Sequence, residues 1–67
     1  MAVLVISTYQ GATHEAEVRD FHDAEREIDR FNRQYLANHP NDRIVDASVV
    51  VCGNIIARYN NGKLEDF

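Results

Sequence analysis

Residues Ala2 to Tyr9 form an almost continuous apolar run, Ala-Val-Leu-Val-Ile-Ser-Thr-Tyr. A strand with one solvated face alternates apolar and polar residues, but this run is apolar at both odd and even positions. It therefore predicts a β-strand whose two faces are both covered. The rest of the chain offers one long helix to cover one face, so the second face predicts a partner surface.

A long amphipathic helix is predicted from Thr13 to about Ala37. Thr13 suits the N-cap position, and Pro40 prevents the helix from continuing. Apolar residues recur at spacings of three and four and form one stripe: Phe21, Ala24, Ile28, Phe31 and Tyr35. About 25 helical residues span roughly 37 Å, against about 26 Å for an eight-residue strand. The predicted overhang is a second indication of a partner.

Two further strands are predicted at Arg43–Cys52 and Ile55–Asn60, joined by a two-residue turn at Gly53-Asn54. This register pairs Val49 with Arg58 and places Arg58 on the apolar side that faces the helix. The arginine must then reach the edge of the sheet, or the true register differs.

Together these elements predict a single α+β domain over residues 1–67, in the order β-α-β-β. The sheet is expected to be mainly antiparallel, with three or four strands and the helix on one face. The fourth strand depends on Asn61-Gly62, a turn signal that would fold Lys63 to Phe67 back onto the sheet. The alternative for these last residues is a frayed tail.

The chain has 67 residues, and Cys52 is its only cysteine. A domain of this size buries only about 60% of its unfolded-chain surface. Disulfides, a metal or oligomerisation usually compensate. An intrachain disulfide is impossible, and the histidines show no metal-ligand spacing. We therefore expect a homodimer or a larger oligomer.

The formal net charge of −4 disfavours direct nucleic-acid binding. The N-terminal apolar run, about seven residues, is shorter than a membrane span requires. It also lacks the basic leader of a signal peptide. We expect a cytoplasmic protein whose direct partner is neither a nucleic acid nor a membrane.

Five residues are predicted to contact a partner protein. Asp46 and Tyr59 lie on the second side of the predicted hairpin, which is about half apolar and suits an interface. Asp20, Asp23 and Glu27 belong to the acidic face of the helix, where carboxylates can imitate nucleic-acid phosphates in a basic groove of another protein. The alternative is an ordinary helix surface, because arginines interleave with these carboxylates at helical spacing.

No acid, base and nucleophile converge in the sequence, so we expect no enzyme, no catalytic residue, no cofactor and no metal ligand. The loop that contains Gly11, Ala12 and Thr13 leads from the predicted strand into the predicted helix N-terminus. Backbone N–H groups at such a terminus can bind an anion. These three residues are therefore the candidate ligand site of an alternative function, although one glycine is far short of a nucleotide-binding fingerprint.

Three short segments resemble a family of very small spore-associated and phage proteins with β-α-β-β order: Glu25–Phe31, Ile44–Asp46 and Ile55–Tyr59. That family has no established biochemical activity, so the resemblance implies no site residues. The length and element order also resemble those of dodecins, which are small flavin-binding shells. The flavin-stacking tryptophan of dodecins is missing, since this chain has no tryptophan.

We therefore expect a small, non-enzymatic binding protein that acts through protein–protein contacts, with itself or with a host protein. Its most concrete form is a phage-encoded inhibitor of a host defence system, of the anti-CRISPR type. The alternative is an oligomeric binder of a nucleotide or flavin, with the ligand held between subunits near residues 11–13.

Overall fold

The computed structural model describes residues 2–60 and 62–66, which form five strands and one helix. The elements, in chain order, are β1 (Ala2–Thr8), β2 (Thr13–Val18), α1 (Phe21–Asn38), β3 (Ile44–Val51), β4 (Asn54–Asn60) and β5 (Lys63–Asp66). All strands belong to one sheet in the order β2-β1-β3-β4-β5, and every neighbouring pair is antiparallel. The predicted α+β class, with one amphipathic helix and an antiparallel sheet, is confirmed.

The helix begins later than predicted, because residues 13–18 form the edge strand β2. Glutamate and alanine favour helices, which misled the sequence prediction. The segment nevertheless alternates: His14, Ala16 and Val18 share one face, and Glu15 and Glu17 share the other. Pairing of this alternating segment with β1 outweighs its local helix propensity.

Asp20, and not Thr13, is the N-cap residue of α1. Its side chain accepts a hydrogen bond of 2.8 Å from the backbone N–H of Asp23. The Asp23 carboxylate in turn accepts one of 3.0 Å from the backbone N–H of Arg19. This reciprocal arrangement satisfies donors that a helix start leaves unpaired. At the other end α1 stops at Asn38, just before Pro40, within one residue of the predicted end.

The turn between β3 and β4 is centred on Cys52 and Gly53, one residue earlier than predicted. Both have positive φ angles, 51° and 80°, as a type I′ turn requires. Val49 pairs with Ala57 and Val50 pairs with Ile55, so one extra residue of β4 forms a β-bulge between them. The bulge reverses the predicted faces of the residues that follow it.

The last strand, β5, pairs with β4 and sets Glu65 opposite Arg58, as predicted for a folded-back C-terminal segment. Two residues of that prediction, Asn61 in the turn and Phe67 at the end, lie outside the described residues.

The hydrophobic core lies between α1 and one face of the sheet. Both β2 and β3 run antiparallel to β1, so α1 crosses over β1 to connect them. The helix contributes the predicted apolar stripe, with Ala24, Ile28 and Phe31 buried. The sheet contributes these buried residues: Leu4, Ile6, Val18, Ala47, Val49, Ala57 and Leu64. One face of β1 is thereby accounted for.

Candidate interaction surface

The face of the sheet opposite α1, which we call the open sheet face, has an apolar centre. Leu4 and Ile6 are fully buried on the α1 side of β1, whereas the alternating residues Val3 and Val5 project to the other side and are partly exposed. Val50 pairs with Val3. No second helix exists among residues 2–60 and 62–66 to cover this face.

Two cross-strand rows define the open sheet face, because directly paired residues of neighbouring strands project to the same side. The first row contains Glu17, Val3, Val50 and Ile55. The second row contains Glu15, Val5, Ser48, Arg58 and Glu65. Both rows begin with a glutamate on the edge strand β2. The middle of the first row is Val3 and Val50, and the middle of the second is Val5 and the polar Ser48.

The two sides of the open sheet face carry different charges. Glu15 and Glu17 make the β2 side acidic. Arg58 and Lys63 lie on the β4–β5 side, where Glu65 neutralises part of their charge. Asp46 of β3, paired with Ser7 of β1, adds one carboxylate at the end of these two strands. Apart from Asp46, the face is apolar in the centre, negative on one side and partly positive on the other.

The two irregular positions of the sheet add exposed apolar surface. Val45 is the extra residue where β3 shifts register against β1, and its exposed fraction is 51%. Ile56 is the extra residue of β4, with an exposed fraction of 44%, and its neighbour Ile55 is exposed to 38% on the open sheet face. β-Bulges commonly redirect side chains in this way.

The acidic helix residues predicted to contact a partner are engaged within the chain. Asp20 caps the helix. Asp23 lies 4.0 Å from the guanidinium groups of Arg19 and Arg26. Glu27 lies 3.8 Å from the His14 ring and 4.0 Å from the Arg30 guanidinium. Groups of the same chain therefore balance most of this negative charge. This weakens the hypothesis that these carboxylates imitate nucleic-acid phosphates.

The other two predicted contact residues lie on opposite faces of the sheet. Asp46 pairs with Ser7 on the open sheet face, as predicted. Tyr59 was predicted on the same face but pairs with the buried Leu64 and packs against the core below α1, because the bulge at Ile56 reverses its orientation. The same bulge places Arg58 on the open sheet face, so Arg58 does not lie on the apolar side where the predicted register put it. The five predicted contacts do not form one surface.

The predicted ligand loop does not lead into a helix. Gly11 and Ala12 belong to the hairpin turn between β1 and β2, and Thr13 begins β2. The backbone N–H groups of Gln10, Gly11 and Ala12 donate to Asp42 Oδ1, the Thr8 carbonyl and Thr8 Oγ1, at 3.0, 3.1 and 3.0 Å. These donors are occupied, so the anion-binding argument for Gly11, Ala12 and Thr13 loses its basis.

A buried carboxylate, Asp42, connects three segments at one end of the sheet. It accepts hydrogen bonds from the backbone N–H groups of Gln10 and Arg43, at 3.0 and 2.9 Å, and from the Tyr35 hydroxyl, at 2.9 Å. Sequence reasoning missed this cluster because Gln10 and Asp42 are 32 positions apart. The only sequence signal is the polar turn that follows Pro40.

The hydrogen bonds of Asp42 also set its ionisation. Burial raises the pKa of this carboxyl. Hydrogen bonds from Gln10, Thr8, Arg43 and Tyr35 together lower it by more than burial raises it, so the pKa lies below its ordinary value. Burial, followed by the hydrogen bond and negative charge of Asp42, raises the pKa of the Tyr35 hydroxyl. Asp42 is thus a satisfied structural anion that holds the loop to the helix.

Residues suited to metal or membrane chemistry do not assemble in the described part of the chain. No group of three or more histidine, cysteine, aspartate or glutamate side chains is placed to hold a metal ion within these ranges. Within the described residues, no helix contains an apolar segment long enough to cross a bilayer. Every buried side-chain nitrogen or oxygen described has a hydrogen-bond partner.

The chain was compared with protein-family models, with curated proteins and with solved structures. No protein-family model matches the chain, and neither the curated proteins nor the solved structures contain a significant match. The functional interpretation therefore depends on the physical properties of the open sheet face.

Proposed function

We propose that this chain is a small, non-enzymatic binding protein that acts through protein–protein contacts made by the open sheet face. One observation carries the proposal: the interior strand β1 presents valines, Val3 and Val5, to a face that no described element covers. Val50 and Ile55 extend this apolar centre over β3 and β4.

Burial of this face by a protein would remove apolar surface from water. Removing apolar area from water contributes about 25 cal/mol per Å². Contiguous apolar patches of this kind, with charged residues around them, are typical of protein interaction sites. The charged residues Glu15 and Arg58 at the sides give such an interface a polar rim, as in many protein complexes.

The proposal contains no enzyme chemistry because of where a buried acid and the cysteine lie. Asp42, the buried acid, is fully engaged in holding a loop to α1. The exposed Cys52 lies at the tip of a turn. An enzyme requires an acid, a base or a nucleophile that converge on a pocket, and these two residues are separate from one another.

The more specific form of the proposal follows the resemblance to small phage proteins. In that form the chain is a cytoplasmic, phage-encoded inhibitor that covers part of a host defence protein. Expression in a bacterium whose CRISPR system targets a phage should then raise the plating efficiency of that phage. Unchanged plating would contradict the inhibitor role for CRISPR systems and leave the general binding role standing.

The general proposal is tested by site-specific photocrosslinking in cells that produce the chain. A benzophenone amino acid replaces Ile55 on the open sheet face, and the matched control carries it at Arg33, whose side chain is 80% exposed on α1. We expect a covalent adduct with a polypeptide from position 55 and none from position 33.

A second change shows whether the adduct depends on the apolar centre. Val5→Lys should abolish the adduct, since it places a charge among the valines. The single chain tolerates this lysine because Glu15 lies directly opposite on β2. Equal adducts from positions 55 and 33, or none from position 55, would refute a role for this face.

A further inference from the structure

We propose that the open sheet face binds a second copy of this chain, face to face, about a two-fold axis that runs parallel to the strands between β1 and β3. This inference rests on the proposed function and identifies the partner. Its basis is the asymmetric distribution of charge across the face, which makes the face complementary to itself in one orientation only.

The charge distribution selects the axis. Glu15 on β2 and Arg58 on β4 belong to the same cross-strand row, on either side of β1 and β3. A two-fold axis parallel to the strands exchanges the two sides and keeps each row at its own height. Glu15 of each copy then lies opposite Arg58 of the other copy.

The other face-to-face arrangement places like charges together. A two-fold axis perpendicular to the strands superimposes the β2 side of one copy on the β2 side of the other. Glu15 and Glu17 of both copies would then meet, and like charges across an interface are unfavourable.

The apolar centre agrees with the same axis. Because the axis lies between β1 and β3, Val3 of one copy lies over Val50 of the other, and Val5 lies over Ser48. The four strands from β2 to β4 span roughly 19 Å by 20 Å, a projected area of roughly 400 Å² per copy. Corrugation by side chains increases the accessible area, so two copies approach the total of about 1,000 Å² expected of a specific interface.

The test uses two charge-reversal variants, Glu15→Arg and Arg58→Glu, in the purified full chain. Analytical ultracentrifugation measures the dimer dissociation constant of each. Two-fold symmetry makes each ion pair occur twice, so a single reversal replaces two attractions by two repulsions. We expect about tenfold weaker dimerisation for each variant. Glu25→Arg, which changes the net charge as Glu15→Arg does but on the exposed side of α1, should leave dimerisation unchanged.

Mixing the two variants distinguishes intermolecular pairing from damage to the fold. In a heterodimer of Glu15→Arg with Arg58→Glu, both pairs are again arginine with glutamate. The mixture should therefore dimerise about as tightly as the original chain, although neither variant does so alone. A variant that had simply lost its fold would gain nothing from mixing, and circular dichroism of each variant checks this directly.

Three outcomes would overturn the inference. A purified chain that stays monomeric at high micromolar concentration excludes the second copy. A crosslink from position 55 to another cellular protein would then still support the proposed function. Unchanged dimerisation of both variants excludes the pairing of Glu15 with Arg58. Preferential pairing of Glu15→Arg with the unmodified chain excludes the parallel axis in favour of the perpendicular one.

Discussion

Alanine substitutions at Leu4 and Val5 measure how differently the two faces of β1 are buried. Leu4 is 0% exposed beneath α1 in the middle of the sheet. Leu4→Ala leaves a cavity there, and such substitutions cost about 3–5 kcal/mol of unfolding free energy. Chains of this length have a total stability of roughly 3–10 kcal/mol. Leu4→Ala should therefore leave the protein marginally folded.

Val5→Ala should have a much smaller effect in the dissociated chain. It removes the equivalent of two methylene groups, and burial of each contributes about 0.8 kcal/mol when it is complete. Because part of the Val5 side chain remains exposed in the single chain, the expected cost is about 1–1.5 kcal/mol. If the open sheet face is covered by a second copy, the cost increases with protein concentration, since association stabilises the folded state by mass action.

Urea denaturation followed by circular dichroism, at low and high micromolar concentrations of protein, measures both effects. The expected order is a large, concentration-independent loss for Leu4→Ala and a small, concentration-dependent loss for Val5→Ala. A loss for Val5→Ala as large as that for Leu4→Ala in the dilute sample would refute the two-sided description of β1. A small loss at every concentration would count against self-association through this face.

Three further predictions concern local features of the fold. Cys52→Asn should raise the unfolding free energy by up to about 1 kcal/mol, because position 52 has a φ of 51° that asparagine adopts more readily; a lower urea midpoint would contradict this reasoning. Asp20→Ala should cost about 1 kcal/mol through loss of the helix N-cap, with faster amide hydrogen exchange at Asp23, and unchanged exchange would show that the cap is dispensable. The lowered pKa of Asp42 means that its ionised form stabilises the folded state; this stabilisation is present above the ordinary aspartate pKa and is lost as pH falls from about 4 through the folded-state value. Asp42→Asn should therefore reduce stability at neutral pH and flatten its decline in acid, and an acid denaturation curve parallel to that of the original chain would show that Asp42 does not contribute.

Local patterns were sufficient for about half of the fold. The continuous apolar run indicated β1, and one of its two apolar faces packs under α1 while the other lies on the open sheet face. The apolar stripe from Phe21 to Tyr35 indicated α1, and Pro40 indicated where it ends. In each case the signal depends on residues only a few positions apart, whose spacing distinguishes a strand from a helix.

The errors have one origin, in pairings between distant residues. Residues 13–18 became a strand because β1 offers hydrogen-bond partners that an isolated segment lacks. Glu15 and Glu17 were consequently missed as part of the candidate site, although their alternation with His14 and Ala16 was visible. Two single-residue shifts of register, at Val45 and Ile56, then decided which faces the hairpin residues occupy.

The sequence by itself determined the α+β class and the helix stripe, and it predicted a partner surface for β1. Only the tertiary structure decided which residues form that surface. The physical reason is that side chains in a strand alternate with a period of two, so one extra residue moves every following side chain to the opposite face. Here the extra residue is Ile56, which places Arg58 on the open sheet face and Tyr59 on the side of the core.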